Sequence, residues 1–155
     1  MQQGGRIITP AATVIIPTYN GRTLLERCLS ALQSSIEKAG GNHKVLVVDD
    51  ASTDGTVEYL AQTFPSVEVL SLQRSGFGRA VNSGVMQAKT EAVVLLNNDV
   101  VVEPDFLKAL LEPLQELEVF AVGAKFLSGE GKLEYVLGNR TRGLWRRGLL
   151  EVFHQ

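Results

Sequence analysis

Acidic and amide side chains stand directly after several apolar segments of this sequence. One apolar run ends in Asn97-Asn98-Asp99, and another ends in Asp49-Asp50. A carboxylate at the end of a buried strand costs free energy unless it is hydrogen-bonded, paired or bound to a metal ion. Asp99 is therefore either a solvent-facing residue of a simple turn or a carboxylate that waits for a cation.

These polar clusters do chemistry together only if the fold brings them to one place. The apolar runs are typical of strands, and they are predicted at residues 12–16, 44–48, 66–72, 92–96 and 119–127. Helical periodicity lies between them and predicts helices at residues 23–37, 57–64, 80–88 and 104–114. Continuous apolar strands that alternate with helices indicate an α/β fold, with a mostly parallel sheet covered by helices on both faces.

Local signals predict where several of these elements begin and end. Pro17 is expected to stop the first strand. Thr23 and Glu26 have the spacing of a capping box at the start of the first helix. Pro104 suits the first turn of the last helix, and Pro113 is expected to kink or shorten that helix.

The carboxyl ends of parallel strands meet at one edge of a sheet, and ligands bind beyond that edge. The polar segments that fall there are residues 17–21, 49–55, 74–79 and 97–99. Together they predict a cleft rich in hydrogen-bond donors, acceptors and carboxylates. The sequence does not carry the glycine fingerprint of a dinucleotide-binding site, because Gly76 and Gly78 are followed by Val81 where the third glycine would stand. The glycine-lysine phosphate loop of ATPases does not occur either.

Three segments, VIIPTYN at 14–20, VVDDASTDGT at 47–56 and LLNND at 95–99, closely resemble the motifs of family 2 glycosyltransferases in order and spacing. The resemblance covers residues 12 to 128. It implies a GT-A, Rossmann-like fold, a nucleoside diphosphate sugar donor of the UDP or dTDP type, and Mg²⁺ or Mn²⁺. It also implies inversion at the anomeric carbon, a saccharide or lipid-linked acceptor, and a role in polysaccharide or cell-wall synthesis.

The resemblance assigns roles residue by residue. Asp50 matches the aspartate that accepts a hydrogen bond from the nucleotide base, and Asp49 is expected to hold backbone N–H groups of its loop. Asp99 matches the last acid of the DxD motif, which ligates the metal that bridges the diphosphate. Asn98 stands where many members have an aspartate, and its amide suits a ribose hydroxyl.

The loop beside the nucleotide is matched by Pro17, Thr18, Tyr19 and Asn20. Thr18 or Tyr19 would touch the base or the ribose, and Asn20 is either a nucleotide contact or a helix N-cap. Arg79 follows the glycine turn at the start of the third helix, where backbone N–H groups suit phosphates. It is either a contact of the diphosphate or sugar, or a solvated arginine.

Composition limits the classes of function. The chain has 155 residues with 15 basic and 17 acidic side chains, which gives no indication of nucleic-acid binding. Its single cysteine, Cys28, allows a reducing compartment, and neither a signal core nor a membrane-spanning run of ~20 apolar residues occurs. We expect a cytoplasmic protein, with peripheral contact to the inner membrane face as an option. The basic segment 139–147 is either a lipid-contacting surface or, preferably, a loop.

The expected organisation is a leader at 1–11, a nucleotide-sugar-binding GT-A domain at 12–128 and an incomplete continuation at 129–155. Inverting transfer needs a base to remove the acceptor proton. Glu130, Glu134 and Glu151 follow the matched region, but none lies in a recognisable motif, so the catalytic base stays unassigned. The chain is therefore predicted to carry the donor-binding half of such an enzyme, truncated at its C-terminal end.

Other classes remain open. The main alternative to an enzyme is a non-catalytic nucleotide-binding module. A nucleotidyltransferase ranks low because the glycine-rich basic loop after the first strand is not found. A response-regulator-like domain would place its acid pair after the first strand, whereas Asp49-Asp50 follows the second.

Overall fold

The computed structural model describes residues 10–125, 141–146 and 149–154 of the chain. The described residues belong to two units, which divide between residues 122 and 123. Most of the predicted leader lies outside the described residues. All elements that carry the predicted site belong to the first unit.

The first unit alternates strands and helices as predicted. Its strands are β1 (Ala12–Thr18), β2 (Lys44–Asp49), β3 (Glu68–Ser71) and β4 (Ala92–Leu95). Its helices are α1 (Arg22–Ala39), α2 (Thr56–Thr63), α3 (Phe77–Gln87) and α4 (Phe106–Leu111), followed by a 3₁₀ turn at Glu112–Gln115. The strands form one sheet in the order β3-β2-β1-β4, and every pair is parallel. The predicted parallel α/β sheet is thus confirmed.

Helices cover both faces of this sheet. On one face, α1, α2 and α4 pack on a core that includes Val14, Ile16 and Val47. On the other face, α3 packs through Ala80 on Ile15, Leu46 and Val48. Because β1 is buried along its whole length, its residues read as a continuous apolar run rather than an alternating one.

The expectation that Pro17 stops β1 is wrong, because the strand continues to Thr18. Proline lacks the N–H that a sheet position normally donates. Pro17 faces the β4 side, where pairing with β1 ends at Ile15 and Leu95. Its missing donor therefore costs no ladder hydrogen bond.

The predicted capping box of α1 is also wrong. Gly21 is the N-cap, and the helix start has no side-chain cap from Thr23 or Glu26. Instead, the N–H of Arg22 donates to Asp54 Oδ2 at 3.2 Å. Asp54 Oδ1 accepts from the N–H of Thr56 at the start of α2. One carboxylate thus serves the N-termini of both helices, where a negative charge also suits the helix dipoles.

A distant side chain also caps α4. The buried hydroxyl of Ser35 on α1 accepts from the N–H of Leu107 at 3.0 Å. Asp105 is the N-cap, so Pro104 lies before the helix and not in its first turn. Pro113 ends α-helical geometry as predicted, because the chain continues from α4 into the 3₁₀ turn.

The predicted strand at 119–127 is wrong over the residues that the structure describes. Residues 119–125 have no regular secondary structure, and residues 126–127 lie outside the described part. The aromatic side chain of Phe120 is fully exposed. An apolar segment becomes a strand only when a neighbouring strand accepts its backbone hydrogen bonds, and local pattern does not reveal that neighbour.

The second unit contains an antiparallel pair, β5 (Thr141–Arg146) and β6 (Leu149–His154). Its register runs from Thr141 opposite His154 to Arg146 opposite Leu149. The preferred interpretation of residues 139–147 as a loop is therefore wrong for residues 141–146. Aliphatic and aromatic residues favour strands, but the arginines between them concealed that signal. Lipid contact by this segment stays a prediction, since only its backbone is described.

Among the described residues, each helix is too short or too polar to cross a membrane.

The approach of α3 to the sheet depends on a glycine. A Cβ on Gly84 would lie 2.6 Å from Ile15 Cγ2 and 3.0 Å from Val48 Cγ2. Both methyl groups belong to buried side chains, so neither can move away freely. The helix can lie this close to β1 and β2 only without a side chain at position 84.

We predict that Gly84→Ala destabilises the fold by about 1–3 kcal/mol, because overpacking forces the helix away from the sheet. Gly78→Ala is the matched control on the same helix, since nothing lies within 4 Å of its added Cβ. It should be neutral or gain up to ~1 kcal/mol in helix propensity. Urea unfolding measures both, and equal stability of the two variants would contradict the close packing.

Asp54 predicts a pH dependence of stability. Burial raises its pKa, but hydrogen bonds from the Thr56 hydroxyl and from the N–H groups of Arg22 and Thr56 outweigh burial, so the pKa lies below its ordinary value of 3.8. The carboxylate therefore stabilises the fold fully above pH 3.8, and this contribution is lost as the pH falls through the lower folded-state pKa.

We predict that Asp54→Asn costs about 1 kcal/mol of unfolding free energy at neutral pH, because Asp54 accepts through both carboxylate oxygens and asparagine keeps only one acceptor oxygen. The variant should lose less stability than the natural chain on acidification. Glu26→Gln is the control, since Glu26 makes no cap contact, and it should stay within ~0.5 kcal/mol. Chemical unfolding between pH 2.5 and 7 tests this, and parallel curves for the natural chain and Asp54→Asn would refute it.

Candidate functional site

A cleft of about 390 Å³ opens at the carboxyl edge of the sheet. Its walls include residues from the loops after β1, β2, β3 and β4, as the strand-end rule predicts. The predicted site residues that line it are Pro17, Thr18, Tyr19, Asp50, Asn98 and Asp99. Segments far apart in sequence thus meet in one cavity.

The carboxylate of Asp50 is buried and heavily hydrogen-bonded. Its Oδ1 accepts from the N–H of Ser75 at 2.6 Å and from the Ser75 hydroxyl at 2.9 Å. Its Oδ2 accepts from the N–H of Gly76 at 2.9 Å, and Arg74 Nη1 lies 3.5 Å from the same oxygen. Asp50 therefore holds the loop between β3 and α3 against the end of β2.

These contacts keep Asp50 ionised. Burial raises its pKa, yet the N–H groups of Ser75 and Gly76, the Ser75 hydroxyl and the charge of Arg74 lower it further, so the pKa lies below its ordinary value. A carboxylate in this state is an acceptor only. It suits a base N–H and is unsuited to donate a proton.

Arg74 lies over the aromatic ring of Tyr19. Its Cζ is 3.3 Å from the ring centroid, a cation–π contact, while the same guanidinium approaches Asp50. Tyr19 comes from the loop after β1, so this arginine joins the loops after β1 and β3. One face of the Tyr19 ring is therefore covered by Arg74.

Asp49 serves its own loop, as predicted. Its Oδ2 accepts from the N–H of Ser52 at 3.1 Å. Its Oδ1 is buried and has no hydrogen-bond partner among the described residues. Asp49 does not line the cleft, so its carboxylate contributes to the scaffold beneath it.

Asn20 joins the loops after β1 and β2. Its N–H donates to the hydroxyl of Ser52 at 2.8 Å, and its Oδ1 accepts from the N–H of Thr53 at 2.8 Å. The backbone of Asn20 is left-handed, with φ of 51°. The N-cap interpretation is wrong, because Gly21 is the N-cap of α1. A nucleotide contact by Asn20 stays a prediction, and its side chain is already engaged by the neighbouring loop.

Asn98 makes a side-chain bond across the cleft floor. Its Nδ2 donates to Thr18 Oγ1 at 2.9 Å. A Cβ on Gly21 would collide with both atoms of this bond, so position 21 leaves the space that the bond needs. Asn98 thus fixes the residue before Asp99 to the loop after β1. Its predicted contact with ribose stays a prediction.

Asp99 is exposed at the mouth of the cleft. The described residues offer no group of three or more His, Cys, Asp or Glu side chains that could hold a metal ion. Mg²⁺ commonly takes one or two carboxylates and completes its shell with phosphates and water. Asp99 fits that kind of site, in which a nucleoside diphosphate supplies further ligands.

Cys28 lies beneath this loop without being part of the cleft. It is buried on α1, and its Sγ lies 3.7 Å from the carbonyl oxygen of Asn97. Burial, and after it the negative charge of Asp99, raises the pKa of the Cys28 thiol to about 11. A thiol with this pKa is protonated at neutral pH and is a poor nucleophile. Cys28 thus belongs to the hydrophobic core on the α1 face of the sheet.

Arg79 does not line the cleft. It lines a neighbouring cavity of about 440 Å³ together with Asn82 and Ser83, and Arg74 lines both cavities. Its predicted contact with the diphosphate or sugar stays a prediction. Glu130 and Glu134 lie outside the described residues, and Glu151 is described only in its backbone within β6.

Arg74, Phe77 and Asn97 fall in the polar segments that the sequence placed at the strand ends, and all three line the cleft, but the sequence analysis assigned none of their side chains a role. Phe77 is an aromatic side chain with 67% exposure at the start of α3. A usable signal was position, since Arg74 and Phe77 flank the glycine turn after β3. What the sequence did not reveal is that Arg74 reaches Tyr19.

Residues 13–154 match the family model described as Glycosyl transferase family 2. This match extends past residue 128, where the motifs read from the sequence end. The chain is 31% identical over 125 residues to a dolichol-phosphate mannosyltransferase of Pyrococcus furiosus, an alignment that covers 79% of this chain and 35% of that protein.

Solved structures are similar as well. The mannosyltransferase PcManGT from Pyrobaculum calidifontis, in complex with GDP-Man and Mn²⁺, has a TM-score of 0.58 and 30% identity, with 76% of this chain and 35% of that chain covered. S. aureus TarS 1-349 in complex with UDP has a TM-score of 0.57 and 29% identity, with 64% and 30% covered. The chain thus spans about a third of the length of these relatives. Its fold is the expected GT-A fold.

The position of Cys28 predicts slow thiol chemistry. At pH 8 the native chain should react with a disulfide reagent at least roughly 100-fold more slowly than the urea-unfolded chain, because both the thiolate fraction and access are reduced. Cys28 is the single cysteine, so the colorimetric signal belongs to it alone. Equal rates in the native and unfolded chains would contradict the buried position.

Proposed function

Because the chain belongs to glycosyl transferase family 2, we propose that it binds a nucleoside diphosphate sugar in the cleft and serves transfer of that sugar, with inversion, to a saccharide or lipid-linked acceptor. The observation that carries the proposal is the meeting of Tyr19, Asp50 and Asp99 in one cavity. Tyr19 supplies a stacking surface, Asp50 an acceptor for a base N–H, and Asp99 a carboxylate for a metal ion.

Each of these groups has a distinct task in donor binding. Tyr19 offers a ring on which a base stacks. Asp50, held ionised by its loop, accepts from the base. Asp99 would hold Mg²⁺ or Mn²⁺ together with phosphate oxygens, and the ion would neutralise charge on the leaving diphosphate. The complexes of PcManGT with GDP-Man and Mn²⁺ and of TarS with UDP support this assignment.

The acceptor side has less support in the described residues. An inverting transfer needs a general base near the acceptor hydroxyl. Asp50 is engaged by the loop after β3, and Asp99 is assigned to the metal ion. The catalytic base therefore stays unassigned. This favours, as a second candidate, a module that holds the nucleotide sugar without transferring it.

The experiment is calorimetric titration of UDP, dTDP and GDP into the full chain, with and without Mn²⁺. We predict metal-dependent nucleotide binding that Asp99→Ala weakens by roughly tenfold or more, about 1.4 kcal/mol. Asp105→Ala is the matched control, because Asp105 is another exposed aspartate and pairs with Lys38 outside the cleft. Its binding should equal that of the natural chain.

Either of two results would overturn the donor site: failure of every nucleotide to bind, or metal-dependent binding that Asp99→Ala leaves intact. Incubation with a bound donor sugar then separates the two candidates. Release of nucleoside diphosphate in the presence of an acceptor supports the enzyme, and stable binding without turnover supports the module.

A further inference from the structure

The stacking face of the cleft is occupied by a side chain of the protein itself. The guanidinium of Arg74 touches the Tyr19 ring, with Cζ 3.3 Å from its centroid. A flat base cannot enter between two groups at this distance. The side chain of Arg74 is 57% exposed while that of Asp50 is 5% exposed, so Arg74, unlike Asp50, can move into solvent.

The hydrogen bonds of Asp50 show which acceptor position becomes available when Arg74 moves away. A carboxylate oxygen accepts about two hydrogen bonds. Oδ1 already accepts from the N–H and the hydroxyl of Ser75. Oδ2 accepts from the N–H of Gly76, and its second position faces Arg74. If Arg74 leaves while the backbone stays, one acceptor position on Oδ2 becomes available.

We propose that Arg74 is a gate that determines base specificity: a nucleobase displaces its guanidinium, stacks on Tyr19 and donates a single N–H to Asp50 Oδ2. This inference rests on the proposed function, since it requires that the cleft binds a nucleotide.

With one vacated acceptor position, Asp50 distinguishes among the bases by the number of N–H donors that they present. Uracil and thymine present a single ring N–H, which matches the one vacated acceptor position on Asp50. Guanine presents a ring N–H and an amino group side by side, and the second donor would find Oδ1 already filled by Ser75. Cytosine and adenine place an unprotonated ring nitrogen against the carboxylate. The geometry therefore favours a uridine or thymidine diphosphate sugar over a guanosine one.

The test measures UDP and GDP affinity, with Mn²⁺, for the full natural chain and for Arg74→Ala. Removal of the gate should tighten UDP binding about 3- to 10-fold, because the nucleotide no longer has to break a cation–π contact and a half-exposed ion pair. The natural chain should bind UDP more tightly than GDP.

Arg22→Ala is the matched control. Its guanidinium also lies over a tyrosine ring, that of Tyr59, with Cζ at 5.1 Å from the centroid, but neither residue lines the cleft. This variant should bind UDP like the natural chain. Titration of uridine, which carries no phosphate, should show the same gain in Arg74→Ala, because the gate acts at the base and not at the diphosphate.

A second measurement needs no variant. In the nucleotide-free natural chain, the Tyr19 ring should shift the NMR signals of the Arg74 side chain upfield, and UDP should abolish that shift. The gate is thus tested even if Arg74→Ala fails to fold.

The results separate the gate from the function it rests on. If UDP binds but Arg74→Ala leaves affinity unchanged or lowers it, or if the Arg74 signals do not move, the gate is wrong and the donor site stands. If GDP binds the natural chain more tightly than UDP, the base assignment is wrong. If neither nucleotide binds the natural chain or Arg74→Ala, both the gate and the donor site are overturned.

Discussion

Backbone N–H groups at the carboxyl edge of the sheet need acceptors, and aspartate side chains supply them. Helix starts leave N–H groups without partners inside the helix. Asp54 accepts from the first N–H of α1 and of α2, while Asp50 accepts from the N–H groups of Ser75 and Gly76 before α3. These two carboxylates hold the loops that surround the cleft, and Asp50 also forms part of its wall.

This double role of Asp50 constrains how the site can work. Asp50 is matched to a base contact by resemblance, yet most of its hydrogen-bonding capacity is used by the loop after β3. Under the proposed gate, Asp50 can therefore offer a ligand only the acceptor position on Oδ2 that Arg74 vacates. Asn98 is similar, since the amide expected at a ribose is bonded to Thr18. Under the proposed function, the same side chains would hold the loops and contact the ligand, so each ligand contact has to be compatible with the bond already present.

Local pattern was enough to predict the parallel sheet, its helices and the residues at its carboxyl edge, because hydrophobic periodicity and strand-end chemistry are readable within short windows. It failed where the partner is distant. Thr23 and Glu26 have capping-box spacing, but the N-terminus of α1 uses Asp54, and α4 uses Ser35 on α1. The strand wrongly predicted at 119–125 and the overlooked contact of Arg74 with Tyr19 have the same cause, because each depends on a partner that is distant in sequence.

The walls of the cleft differ in how they are tied together. The loops after β1 and β2 are joined through Asn20 to Ser52 and Thr53, and through Arg22 to Asp54. The loop after β3 is joined to the strand ends by Asp50 and the half-exposed Arg74. In evolutionary terms, the first wall resists change, because one substitution there breaks several bonds. The second wall can vary at its exposed positions without loss of the scaffold, so under the proposed function it is the side on which donor preference can diverge.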